Sequence, residues 1–238
     1  MSLCIVGLLI VLFGGQTIIN RAYDQSADKQ SSSLEKKNSS QRAATRKQDP
    51  NDIDHAPLYK IGQYYNSAKY GRIKLTGIST KRNVVYTRNQ LITTINWAKI
   101  CTNTPKTAAQ RINSASDYNL DKVSNPYTYL KVQYTVQNNF SNAVTFGGVR
   151  QLTIGNGSIL NGTDELVIDD GQSEQLLPHT KRVFTIHVLI DKFTDRAHPQ
   201  KVHLYFGSSK GTVTLRKVAA GFDCLLPITY DRAADDSV

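Results

Sequence analysis

The stretch Tyr127–Phe140, YTYLKVQYTVQNNF, decides the fold of this chain. Leu130, Val132, Tyr134 and Val136 fall on one side of an extended backbone, and Lys131, Gln133, Thr135 and Gln137 on the other. Strict period-2 alternation with β-branched and aromatic residues is the signature of a strand with one buried face. Asn138 and Asn139 end it with turn chemistry. The spacing predicts a central strand of an antiparallel sheet, with the apolar side meeting Phe184, Ile186 and Val188. The polar side carries no evident chemistry of its own.

Similar signals recur on both sides of this strand. Arg72–Ile78, Asn83–Thr87 and Leu91–Cys101 precede it, with Leu91, Thr93, Ile95 and Trp97 on one face and Trp97 expected as a core anchor. Val144–Ile154 reads as two pieces around Gly147 and Gly148, followed by turn material over Gly155–Gly162 and a short strand at Glu165–Ile168. Arg182–Ile190 places Phe184, Ile186, Val188 and Ile190 on one face. Strands are also expected at Lys201–Gly207, around Val213 and Leu215, and at Leu225–Ile228. One short helix is expected around Ala108–Ile112, in the polar connection Thr102–Pro126. With no strand–helix–strand rhythm, the order argues for an all-β antiparallel sandwich.

The N-terminal part differs in kind. Leu3–Ile19 is apolar apart from Gln16 and Thr17 and reaches the short limit of a membrane span. It lacks the basic n-region and small-residue site of a cleaved signal. It therefore reads as an uncleaved anchor. Arg21 and Lys29 behind it favour a cytoplasmic C-terminal side by the positive-inside rule, whereas the sandwich argues for an exported domain, so orientation stays open. The segment that follows is too polar to offset its ordering entropy and reads as a disordered linker. The expected division is an anchor at 1–21, a linker at 22–56, a β-sandwich at 57–232 and a polar tail at 233–238.

The net charge is +10 and unevenly spread. Between Pro57 and Ser116 there are ten Lys or Arg and no Asp or Glu. A one-sign field of this kind attracts anionic partners. Arg72, Lys74, Lys81, Arg82 and Arg88 are the candidate anion-binding residues. The partner would be a cell-wall polymer, lipid headgroups or an acidic protein. A nucleic-acid-binding or conjugation-type accessory protein on the same membrane tether is the alternative, weakened because no aromatic stacking platform is legible.

No catalytic, cofactor or metal signature is present. His187 and His203 lie on strands opposite the core-facing positions, with His198 nearby, but without metal-ligand spacing. Asp164, Glu165, Asp169, Asp170 and Glu174 lack the order of a calcium loop and read as a solvated hairpin edge. Cys101 and Cys224 would form one disulfide in an oxidising compartment; two buried free thiols is the other reading, and both stay open.

From Arg72 onward the chain resembles the DUF4352-like, immunoglobulin-like immunoprotective extracellular domains of Gram-positive exported proteins. The resemblance rests on YLKVQYTVQN at Tyr129–Asn138, LLPHTKRVFTIHVLI at Leu176–Ile190, and KVHLYFG. It implies an immunoglobulin-like sandwich behind an export segment and a polar linker. It carries no catalytic residues, so it implies a binding or interaction module rather than an enzyme.

Overall fold

The computed structural model describes residues 49–54, 57–155, 157–190 and 198–232. The expected anchor, nearly all of the expected linker and the tail lie outside these residues. Among the described residues, no helix is long and apolar enough to cross a membrane. Asp49–Asp54 belong to the folded unit, which starts at Asp49, earlier than the expected residue 57. Ile53 packs against the apolar cluster that includes Leu58 and Ile73, and the Tyr64 hydroxyl donates to Asp49 Oδ2 over 3.1 Å.

The strands in order are β1 Tyr64–Ser67, β2 Gly71–Ser79, β3 Val84–Arg88 and β4 Leu91–Thr104. The helix α1, Ala108–Ser116, then precedes β5 Tyr127–Asn138, β6 Val144–Thr145, β7 Val149–Ile154 and β8 Ser158–Asn161. The chain continues with β9 Val167–Asp169, β10 Gln175–Leu176, β11 Lys181–Leu189 and β12 Lys201–Phe206, and ends with β13 Ser209–Gly211, β14 Lys217–Ala219 and β15 Phe222–Thr229. The helix begins with a capping box: the Thr107 hydroxyl accepts from the Gln110 amide, and the Gln110 side chain accepts from the Thr107 amide.

The antiparallel β class holds. Its layers, however, belong to one sheet of eleven strands, ordered β8-β7-β12-β15-β2-β4-β5-β11-β9, with β1 on β2 and β3 on β4. The join is narrow, since β15 meets β2 only at Ile228 and Thr229. Across it the sheet curls until β7, β12 and β15 share one core with β4, β5 and β11. A four-stranded sheet, β10-β6-β13-β14, adds Leu176 and Ala219 to that core.

The alternation in β5 supplies the centre of this core. Leu130, Val132, Tyr134 and Val136 are fully buried. Phe184, Ile186 and Val188 of β11 lie beside Tyr134, Val132 and Leu130 in register. Tyr134 packs against Phe184, Phe206 and Phe146 with ring centroids 5.4–5.9 Å apart, the tilted and edge geometries that aromatic quadrupoles favour.

Three expectations are corrected, and one open alternative is resolved. Trp97 is not a core anchor. Asn96 is an extra residue in β4, at a register shift between Ile95 and Trp97, so Ala98 and Ile100 continue the buried side and Trp97 turns to the outer face. Ser158–Asn161 is a strand paired with β7, not a turn. Val213 and Leu215 form no strand: they sit at the tip of the β13–β14 turn, 93% and 71% exposed. Of the two readings open for Cys101 and Cys224, the structure has the two buried free thiols and not the disulfide. The register keeps them apart, because Cys101 lies beside Leu75 in mid-β2 whereas Cys224 lies beyond the end of β2. A disulfide needs Cα atoms within roughly 7 Å.

Candidate functional site

The outer face of β4, β5 and β11 is the side of the sheet turned away from the main core. On it, register places Lys99 directly opposite Lys131, and Lys131 directly opposite His187. Opposed residues on neighbouring antiparallel strands have Cβ atoms about 5 Å apart, and like charges there repel. Lys131 forms no ion pair among the described residues. This polar face of the deciding strand, expected to be without chemistry, therefore contributes the middle of a basic row.

Aromatic rings flank the row. The Lys99 ammonium lies 4.6 Å from the Trp97 ring centre and 5.3 Å from that of Tyr59, and it also donates to the Leu58 carbonyl. Such contacts hold a cation in place. Trp97 reaches this face because of the Asn96 bulge. Asn96 is fixed from β5: its Nδ2 donates to Gln133 Oε1 over 3.2 Å and to Thr135 Oγ1 over 2.9 Å. Tyr59, Arg82, Asn96, Trp97, Lys99 and Gln133 line a groove of about 430 Å³ along this face.

His187 completes the row in a different state. Its ring stacks on Tyr129 at a centroid distance of 6.0 Å. Burial, with the Lys131 charge as second cause, pushes its pKa down to about 4. It is neutral at pH 7. Burial likewise pushes the Cys101 thiol up to about 11, although Tyr129, Lys131 and Lys99 oppose the shift. Asp170 also feels the Lys131 charge, which pulls its carboxyl down while burial and Asp169 push it up more strongly.

The His187 shift makes stability depend on pH. Its folded pKa lies below the ordinary 6.5, so between about 6.5 and 4 the unfolded chain binds a proton that the folded chain refuses. Stability should fall as pH drops through that window, by up to about 3 kcal/mol. Lys131→Gln removes the smaller cause. NMR titration of the imidazole should show the pKa moving up in that variant while staying below 6.5; an unmoved value would show that the Lys131 charge does not reach the ring.

The five residues expected to bind anions do not form one patch. Arg72 lies near the Thr104 end of β4 and Arg88 beside Leu91 at the other. Those thirteen residue steps span on the order of 40 Å. Arg72 stacks over Tyr64 at 3.8 Å, and Lys74 shares its exposed side of β2. The Lys81 amide donates to Ser79 Oγ over 3.1 Å and Arg88 donates to the Thr87 carbonyl. Only Arg82 of the five reaches the groove.

The histidines are not gathered either. His203 bonds to Asp223 and Tyr205, each over 2.8 Å, on the opposite half of the sheet from His187, and His198 packs edge-on to Tyr230. No group of three His, Cys, Asp or Glu that could hold a metal occurs among the described residues. The acidic segment is not simply a solvated edge: Asp169 is largely buried and accepts from Tyr134 Oη, the Val149 amide and the Gly171 amide.

No protein-family model and no curated protein matches the chain. Among solved structures, it is similar to a functionally unknown protein from Listeria monocytogenes EGD-e at 11% identity and a TM-score of 0.41, over 67% of this chain and 88% of that one. It is also similar to the yjhA protein from Bacillus subtilis at 11% identity and a TM-score of 0.36, over 62% of this chain and 97% of that one.

Proposed function

We propose that the chain is a non-catalytic, immunoglobulin-like binding module, tethered to the membrane or exported, whose outer-sheet groove takes an anionic polymer. The observation that carries this reading is the opposed pair Lys99 and Lys131 beside Trp97. Lys131, with no ion pair among the described residues, lies directly opposite a second lysine, so a ligand that brings phosphate or carboxylate groups to this face meets both charges. The flanking Trp97 and Tyr59 rings offer apolar faces to the rest of such a ligand. An anionic cell-wall polymer combines both features. The tether is the apolar segment Leu3–Ile19 with its polar linker, and the DUF4352-like resemblance supports the extracellular placement. Nucleic acid is the second reading, favoured by the 62% exposed Tyr59 ring beside a lysine.

The test is binding of the full-length protein to an anionic wall polymer, a neutral polysaccharide and duplex DNA at increasing salt. The wall polymer should bind, salt should weaken it, and the neutral polymer should not bind. Each charge-assisted hydrogen bond is worth about 1.5–3 kcal/mol, so K99Q/K131Q should lower affinity on the order of a hundredfold. R72Q/K74Q, away from the groove, should leave it unchanged. Tighter DNA binding with the same K99Q/K131Q loss would replace the polymer by nucleic acid; no binding to either would end the reading.

A further inference from the structure

A second surface lies at the end of the molecule where β5 ends, away from the basic row. Four loops meet there. Asn89 Nδ2 donates to the Val218 carbonyl over 2.6 Å, and the Thr212 amide to the Ala143 carbonyl over 3.2 Å. Asn138 Nδ2 donates to the Leu177 carbonyl over 3.0 Å, and the Asn139 amide to the Gln90 carbonyl over 2.8 Å. The loops are residues 88–90, 138–143, 177–181 and 211–218. They contain Arg88, Lys181, Arg216 and Lys217 and no Asp or Glu.

The same loops hold large apolar side chains in solvent. Val213 is 93% exposed, Leu215 71% and Leu177 59%. The turn that presents the first two is closed on itself: the Leu215 amide donates to the Gly211 carbonyl, and the Gly211 amide to the Arg216 carbonyl, each over 2.9 Å. Leu215 takes a left-handed backbone with φ 56°. That conformation is costly for a branched aliphatic residue, and here it holds the side chain outward rather than burying it. Beside the tip opens an apolar groove of about 450 Å³, lined by Phe140, Ala143, Val144, Val213 and Val218.

From this arrangement we infer that the β13–β14 tip is a docking surface for an anionic lipid bilayer. Val213 and Leu215 enter the headgroup–acyl boundary, and Arg88, Lys181, Arg216 and Lys217 face the lipid phosphates. Apolar side chains at a rigid tip, ringed by cations, match the two-part attraction of an interfacial anchor. A phosphate backbone would use the cations alone and leave the aliphatic tip in water.

The inference is independent of the Lys99–Lys131 row and the groove beside it. Its test is amide hydrogen exchange of the full-length protein with vesicles of phosphatidylcholine containing phosphatidylglycerol, and with vesicles of phosphatidylcholine alone. This readout is local, so an N-terminal segment held in the same bilayer does not obscure it. Exchange over residues 211–217 should slow on the order of tenfold on the anionic vesicles and much less on the neutral ones. V213S/L215S, which changes only exposed side chains, should abolish the protection, and K99Q/K131Q should retain it. Four outcomes would overturn the inference: unchanged exchange on anionic vesicles, protection that survives V213S/L215S, protection by duplex DNA instead, or protection that grows with protein concentration without lipid, which would make the occupant a second copy of the chain.

Discussion

Asp169→Ala should destabilise the domain by about 4 kcal/mol. The carboxylate is the common acceptor for three donors: Tyr134 Oη at 2.6 Å, the Val149 amide at 2.6 Å and the Gly171 amide at 3.0 Å. Through them it joins β9 to β5, to the start of β7 and to the following turn. Removing it strands a phenolic hydroxyl and two amides where water has little access. Burial raises the Asp169 carboxyl above its usual range, against the opposing effect of these bonds. With the folded pKa above the unfolded one, this group's contribution to stability is fully present below the unfolded value, 3.8, and declines as pH rises through the raised value. Urea unfolding should show the alanine variant losing that pH dependence together with several kcal/mol. A loss below about 1 kcal/mol would mean that water replaces the carboxylate at all three donors.

Asn138→Ala should cost about 3 kcal/mol, the second largest effect expected of a single substitution here. Asn138 is fully buried at the end of the deciding strand. Its Nδ2 faces the carbonyls of Asn142, Leu176 and Leu177 at 3.0–3.1 Å, and its Oδ1 accepts from the Phe140 amide at 2.9 Å. One side chain thus satisfies the turn after β5 and ties it to the segment between β10 and β11. Asn138→Asp keeps the acceptor but places a charge against the same carbonyls, so it should be no milder. Thermal unfolding of both variants checks this, and melting temperatures near that of the parent protein would show that the loops close without the amide.

The strand that decides the fold was legible because its alternation is uninterrupted and its ends carry turn residues. The same rule misplaced Trp97. Leu91, Thr93, Ile95 and Trp97 alternate without a break, and nothing in LITTINWAKIC marks Asn96 as the extra residue. The bulge is anchored by Gln133 and Thr135, 37 and 39 residues further on. Long-range partners also account for Asp169, which beside Asp170 and Gly171 reads as a solvated turn until Tyr134 is seen to reach it from β5. Val213 and Leu215 misled in the opposite direction. Aliphatic residues at period two suggest a buried strand, but here they project from a turn.

The basic row was half legible. The acid-free run from Pro57 to Ser116 contains Lys99, and charge alone singled that run out. Lys131 and His187 lie outside it, and only register brings the three together. The five cations chosen by sequence proximity were instead spread along a sheet by the direction of their strands. Charge counts along a chain report a field; strand pairing determines where that field is concentrated.

Trp97 is the only tryptophan in the chain, so its fluorescence reports on the groove without labelling. Titrating the parent protein and K131Q with an anionic wall polymer at low salt is the most direct measurement. The proposed function requires a saturable change in Trp97 emission in the parent protein, reversed by salt and strongly weakened in K131Q. Emission that stays constant while the polymer binds, or an identical response in K131Q, would contradict it.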